Sequence, residues 1–395
     1  MMDMDREEAC AAIPLPGRMS APLAWYERNS TATLGAQVRQ GGCIMIGKRH
    51  LLAMVATLCM GVAGPAQAGQ AAAPTIASET QSVRITSEPG VVLAGELSVP
   101  AAFKAPVPAV LLLGGGGESP HGIYPLLEAK LHARGIATLS FDKRGIGQST
   151  GTFVDAMDPM THDARAALAY LKSRHDVIDT KRIAIVGLSQ GGVIAPALAA
   201  DDPAVVAIVM LAAPAGRRGV MFLDAMRVKL TAADMEAKAA EHVVDATRKY
   251  LNALTTGGSP DTIAADRAGL VRAFVVGGWK QELAEGAVKT LSEPATTSLY
   301  TVAATDVLSR VHVPVLAIYA ADDTVVSSAL SLPEARQALS NNRDAKIVEM
   351  PDVEHGFKPL VATADGKRDY RGWPISDPAT LSLIDRWLPQ RLLPR

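Results

Sequence analysis

Arg182-Ile183-Ala184-Ile185-Val186-Gly187-Leu188-Ser189-Gln190-Gly191-Gly192-Val193-Ile194-Ala195-Pro196-Ala197-Leu198-Ala199-Ala200 is the stretch that decides the fold. Its first part, Arg182–Leu188, is a short apolar run suited to a buried strand, and Gln190–Ala200 suits a helix. Ser189 stands alone at the junction. A nucleophilic serine there needs a sharp, strained turn, and glycines two residues to either side, Gly187 and Gly191, leave room for it. The following helix points its N-terminus at the turn, which favours developing negative charge.

The same rhythm extends to both sides. Val83–Thr86 and Val92–Val99 read as two early antiparallel strands. Ala109–Leu113 is a strand running into Gly114-Gly115-Gly116-Gly117; Ile123–Arg134 and Met160–Ser173 read as helices, and Ala137–Phe141 and Val205–Leu211 as strands. Short apolar strands alternating with helices predict an α/β protein with a mostly parallel, doubly wound sheet covered on both faces. The rhythm breaks after residue 216 and resumes at Val313–Tyr319, a gap far beyond ordinary loop length. Within the gap Ala239, Val243, Ala246, Tyr250 and Leu254 recur at helical spacing. Residues 217–305 are therefore read as a helical cap inserted in a core of 81–216 and 306–395. After it come a helix over 329–340, a strand over 345–350 and a helix over 378–388.

A serine hydroxyl is a weak nucleophile at neutral pH and needs a base. Downstream of Ser189 the only histidines are His242, His312 and His355. His242 falls in the cap. His312 precedes a strand, whereas chemistry in parallel sheets gathers at the carboxyl ends. His355 follows the 345–350 strand in a loop and is the candidate base. The acid is sought after strand 313–319, where Asp322 and Asp323 stand; Asp323 is preferred, with Asp322 shaping the turn. Acyl transfer also needs oxyanion donors. The backbone N–H of Gln190 is one candidate, and Gly116, with Gly115 close behind, supplies the other. A phosphate-binding loop fits these glycines poorly, because no Gly-Lys-Ser/Thr follows them. Phe222, Tyr250, Phe274, Trp279 and Tyr300 could line an acyl pocket, but packing the cap's own core is the stronger reading.

By these residues the chain resembles the α/β-hydrolase superfamily over nearly all of residues 80–390. Phe141-Asp142-Lys143-Arg144-Gly145-Ile146-Gly147-Gln148-Ser149 is similar to a D-x-R-G-x-G-x-S turn common there, where it is mostly structural. Together with Gly-Leu-Ser-Gln-Gly-Gly and the helical cap, it looks closest to bacterial secreted serine esterases and acyl-peptidase-like hydrolases. The chain departs from the superfamily pattern at Gly114-Gly115, where His-Gly is frequent, and at Ala320, where glycine is usual. The resemblance implies a Ser189–His355–Asp323 triad acting on a small-molecule ester or acyl substrate, with no metal or organic cofactor. Peptidase or amidase activity is the alternative, and a non-catalytic binding protein on the same scaffold is a third reading. Relatives with a cysteine or aspartate nucleophile are disfavoured by Ser189.

Composition narrows the setting. A net charge of −1 argues against nucleic acid as a partner. Lys48-Arg49-His50, the apolar run Leu51–Gly64 and Ala66-Gln67-Ala68 have the order of a secretory signal peptide over 45–68. The run is short of the roughly 20 residues that span a bilayer, so no stable membrane insertion is expected after cleavage. That predicts a periplasmic or secreted protein, with residues 1–44 a non-native or disordered extension upstream of Met45 and 69–80 a flexible lead-in. Cys10, Cys43 and Cys59 all precede residue 69, so the mature chain would hold no thiol nucleophile, disulfide or cysteine metal site.

Overall fold

The computed structural model describes residues 77–394. The extension over 1–44, the signal peptide over 45–68 and residues 69–76 of the lead-in lie outside the described residues. Eight strands form one sheet: β1 (Ser78–Glu88), β2 (Val91–Pro100), β3 (Val107–Leu113), β4 (Ala137–Phe141), β5 (Ile178–Leu188), β6 (Val205–Leu211), β7 (Val315–Ala320) and β8 (Ala345–Met350). Their order across the sheet is β1-β2-β4-β3-β5-β6-β7-β8. β1 pairs antiparallel with β2, and β2 with β4; every other pairing is parallel. β1 starts inside the segment read as a lead-in. Ser78, Glu79 and Thr80 pair with Pro100, Val99 and Ser98, because β2 runs on far enough to offer them a ladder. The polar character of that stretch reflects an edge strand facing solvent, not a loose tail.

Helices cover both faces, and the strands show why. Ala109, Leu111 and Leu113 of β3 point into one apolar cluster, and Val110 and Leu112 into the other. Ile183 and Ile185 of β5 likewise oppose Ala184, Val186 and Leu188. Alternation between two dry faces requires every position to be apolar, which is the run seen in the sequence. Leu111, 0% exposed, contributes about 1.5 to 3 kcal/mol by burial alone. On the first face lie α2 (Met157–Ser173), α3 (Gln190–Asp201), α9 (Ala304–Leu308) and α10 (Ser328–Ala338). On the second lie α1 (Pro125–His132), α11 (Pro378–Trp387) and α12 (Pro389–Leu392).

Between β6 and β7 five helices stand together: α4 (Val220–Ala232), α5 (Ala237–Thr255), α6 (Pro260–Val276), α7 (Gln281–Leu291) and α8 (Pro294–Thr301). They share a separate apolar cluster. Phe222, Tyr250, Phe274 and Tyr300 are buried in it, and Trp279 packs against it. Phe222 meets Tyr300 edge-on with ring centroids 5.9 Å apart. α9 follows directly in sequence, but its Ala304 and Leu308 belong to the cluster under the sheet. A small hairpin, β9 (Leu360–Ala362) and β10 (Arg368–Tyr370), follows the β8 loop. No helix among the described residues is long and apolar enough to cross a membrane.

Candidate active site

The parallel register aligns the carboxyl ends of the central strands. Leu113 pairs with Gly187, Leu188 with Leu211, Leu211 with Ile318, and Ala320 with Met350. Residues following β3, β5, β7 and β8 therefore emerge along one edge. Backbone bonds continue past the strands: Ser189 N–H donates to Leu211 O (2.7 Å), Ala321 N–H to Met350 O (2.9 Å) and Asp322 N–H to Val353 O (3.0 Å).

Ser189 sits between β5 and α3 with φ 51° and ψ −113°. A non-glycine residue in that region carries about 1 to 3 kcal/mol of strain and persists only when its surroundings force it. The glycines show the force. A Cβ on Gly187 would lie 2.2 Å from Gly191 O, and one on Gly191 2.6 Å from Leu113 O. One on Gly192 would lie 2.7 Å from Ala213 Cβ. The helix thus presses against β3, β5 and the end of β6 so closely that only hydrogen fits at these three positions. α3 begins at Gln190, and its first N–H groups face the turn.

His355 Nδ1 and Asp323 Oδ2 are 2.7 Å apart. The Asp323 side chain is 1% exposed and that of His355 15%. The other Asp323 oxygen accepts the N–H groups of Val325 and Val326, each at 2.8 Å. The carboxylate is thereby fixed in its turn with one oxygen free for the imidazole. Asp322 turns outward instead, and its carboxylate accepts the Tyr370 hydroxyl from the hairpin. The His355 loop is fastened below by Phe357, 0% exposed, and by Ile375 N–H on Gly356 O (2.8 Å). Among the described residues no hydrogen bond joins Ser189 to His355; shared strand ends relate them. His242 lies in α5, among the five helices between β6 and β7, and His312 precedes the amino end of β7.

Of the four glycines after β3, Gly115 lies against the serine: a Cβ there would be 3.4 Å from Ser189 Cβ. Two buried charges hold this loop. Lys143 Nζ donates to Gly115 O (2.5 Å), Gly117 O (3.0 Å) and Gln190 Oε1 (2.9 Å). Asp155 accepts Gly117 N–H (2.7 Å) and Gln190 Nε2–H (2.9 Å), and lies 3.8 Å from Lys143 Nζ. Burial pushes the Lys143 ammonium down to about 8, against the pull of Asp155. Neither residue carries a signal for the site in the sequence: Lys143 stands in a turn that reads as structural, and Asp155 in an irregular stretch with no spacing pattern.

The rest of that turn is structural in the fold. Asp142 accepts His121 N–H, the His121 ring and Gln148 N–H. Burial alone would raise its carboxyl; the His121 ring and the two backbone donors hold it below the usual range. Arg144 grips both oxygens of Asp163, at 2.8 and 2.7 Å, and reaches Glu88.

This strand order, with a strained serine between β5 and α3, defines an α/β hydrolase in fold. The family model described as serine aminopeptidase, S33, matches residues 104–276, which include Ser189 and end before Asp323 and His355. An esterase of Pyrococcus furiosus is 16% identical and covers 83% of this chain and 97% of its own, with a TM-score of 0.47. An α/β hydrolase of a Penicillium species is 17% identical, covering 80% and 99%, with a TM-score of 0.49. A protein of Butyrivibrio proteoclasticus solved with ferulic acid is 18% identical, covering 78% and 96%, with a TM-score of 0.45. No curated protein matches the chain significantly in sequence.

Proposed function

We propose that this protein is a serine hydrolase that cleaves carboxylic esters. The observation that carries the reading is the pairing of a buried, fully bonded carboxylate, Asp323, with His355 Nδ1 at 2.7 Å, on the sheet edge where Ser189 is strained into its turn. In this reading Asp323 keeps the proton on Nδ1 and leaves the Nε2 lone pair free. His355 takes the Ser189 proton as Oγ attacks the carbonyl carbon. The oxyanion is held by the N–H of Gln190 and by Gly116 or Gly115. His355 then returns the proton to the leaving alcohol, and water hydrolyses the acyl-enzyme by the same route. The signal-peptide reading of residues 45–68 puts this chemistry in the periplasm or outside the cell.

A peptidase or amidase is the second reading, favoured by the serine aminopeptidase match over residues 104–276. Both are tested by comparing a chain-length series of aryl esters with aminoacyl anilides, on wild type and Ser189→Ala. Ester turnover that vanishes in the variant is expected. Preference for anilides would move the assignment to a peptidase. Undiminished turnover in Ser189→Ala would remove Ser189 from the chemistry, and no turnover on either class would favour a binding role for the scaffold.

A further inference from the structure

We propose that Lys143 and Asp155 form a buried clamp that positions the oxyanion donors; it rests on the reading of Ser189 as the nucleophile. An ammonium has three N–H donors, and Lys143 spends all three on the segments in question: Gly115 O, Gly117 O and Gln190 Oε1. Asp155 closes the ring through Gly117 N–H and Gln190 Nε2–H. The loop after β3 and the first residue of α3 are thereby joined side chain to backbone, behind the serine. Lys143 is 6% exposed, Gln190 6% and Asp155 9%.

The clamp fixes direction as well as distance. In a trans peptide the C=O and the following N–H point opposite ways. Lys143 draws the Gly115 carbonyl inward, so the Gly116 N–H of the same peptide points away from the buried ammonium. Gly117 N–H is held by Asp155 and is not available to a substrate. Of these neighbouring amides, Gly116 is the one the clamp turns outward, while Gly115 keeps the loop close to Ser189. The Gln190 amide is oriented by the same logic. Its oxygen must meet the lysine and its nitrogen the aspartate, which anchors the residue whose backbone N–H is the other donor. A glycine loop has no side chains to hold its shape, so the buried ion pair supplies that rigidity. Lys143 and Asp155 touch no reacting atom in this scheme; they are positioning residues.

The test uses Lys143→Met and Asp155→Asn on the full chain, with active sites counted by end-point titration with a fluorophosphonate. The second variant keeps the aspartate's shape and keeps the proposal testable if the first does not fold. Expected for each is a kcat per active site lower by about 10- to 100-fold, with KM within threefold, since a misaimed donor acts on the transition state. The inhibition constant of a trifluoromethyl ketone, whose adduct presents an oxyanion, should rise by the same factor. A lower melting temperature with kcat and ketone affinity within threefold of wild type would overturn the clamp and leave a purely structural role. Loss of activity in Ser189→Ala beside unchanged kcat in both clamp variants sinks this proposal alone. Full activity in Ser189→Ala sinks the reading beneath it.

Discussion

Asp323→Asn tests the site most sharply, because the structure dictates how the new side chain must sit. One Asp323 oxygen accepts two backbone N–H groups, from Val325 and Val326, at 2.8 Å each. An asparagine that turned its NH2 toward them would lose both bonds and oppose donor to donor, at about 1 to 3 kcal/mol for each unsatisfied group. It will instead keep its oxygen there and aim its NH2 at His355 Nδ1, 2.7 Å away. Nδ1 must then accept, the proton moves to Nε2, and the imidazole can no longer take the serine proton. A tautomer error of this kind in a known serine protease lowers kcat about ten-thousand-fold, or about 5.4 kcal/mol of transition-state stabilisation. The same is expected here in kcat for an aryl ester, with KM little changed. Asp322→Asn loses only an exposed contact with Tyr370 and should stay within about threefold of wild type, as surface changes usually do. A loss below tenfold in Asp323→Asn, or a larger loss in Asp322→Asn, would refute the assignment.

Three further outcomes follow from the geometry. Ser189→Ala should abolish ester turnover while leaving the melting temperature at or above wild type, since alanine inherits the strain but no function; circular dichroism melts check the second half. Gly191→Ala places a Cβ 2.6 Å from Leu113 O and 2.8 Å from Gly114 O, both backbone atoms that cannot rotate away. It should cost about 1 to 3 kcal/mol of stability, and a wild-type melting temperature would contradict the close approach of α3 to β3. Glu128 is pushed up to about 7 by burial, with the negative charge of Glu96 adding to it. Its folded form therefore holds a proton that the unfolded chain has lost, and stability falls as pH rises from about 4.5 to 7. Burial pushes His132 down to about 4, which acts in the opposite sense as pH falls from 6.5. Melts of wild type would mix the two, so the difference between Glu128→Gln and wild type is the measurement. It should favour the variant more at pH 8 than at pH 5, and an equal difference at both would show that Glu128 does not titrate in this range.

Much of the scaffold was legible in the residues because its signals are local. A strand dry on both faces needs an unbroken apolar run, so β3, β5, β6 and β7 announce themselves. The turn at Ser189 shows as Gly187 and Gly191 because strand, turn and helix are one continuous segment, and a Cβ on Gly187 would strike Gly191 within it. Chain order also narrowed the histidines to His355. The choice between Asp322 and Asp323 was different in kind. Adjacent aspartates have the same chemistry, and only the turn that sends one side chain inward to His355 and the other outward to Tyr370 separates them. The beginning of β1 is not legible in the sequence because Ser78–Thr80 pair with distant Val99 and Pro100 and bury little themselves.

The sequence by itself determined the fold class, the serine at its strand–helix turn and the histidine after the last strand of the large sheet, because period, glycine spacing and chain order are properties of the chain. Only the tertiary structure decided which carboxylate faces the imidazole, and that Lys143 and Asp155 meet behind the glycine loop. The first contact depends on the parallel register of β7 and β8, and the second on that of β4, β3 and β5. A buried lysine and a buried aspartate look like any surface charges until the packing that removes water from them is known.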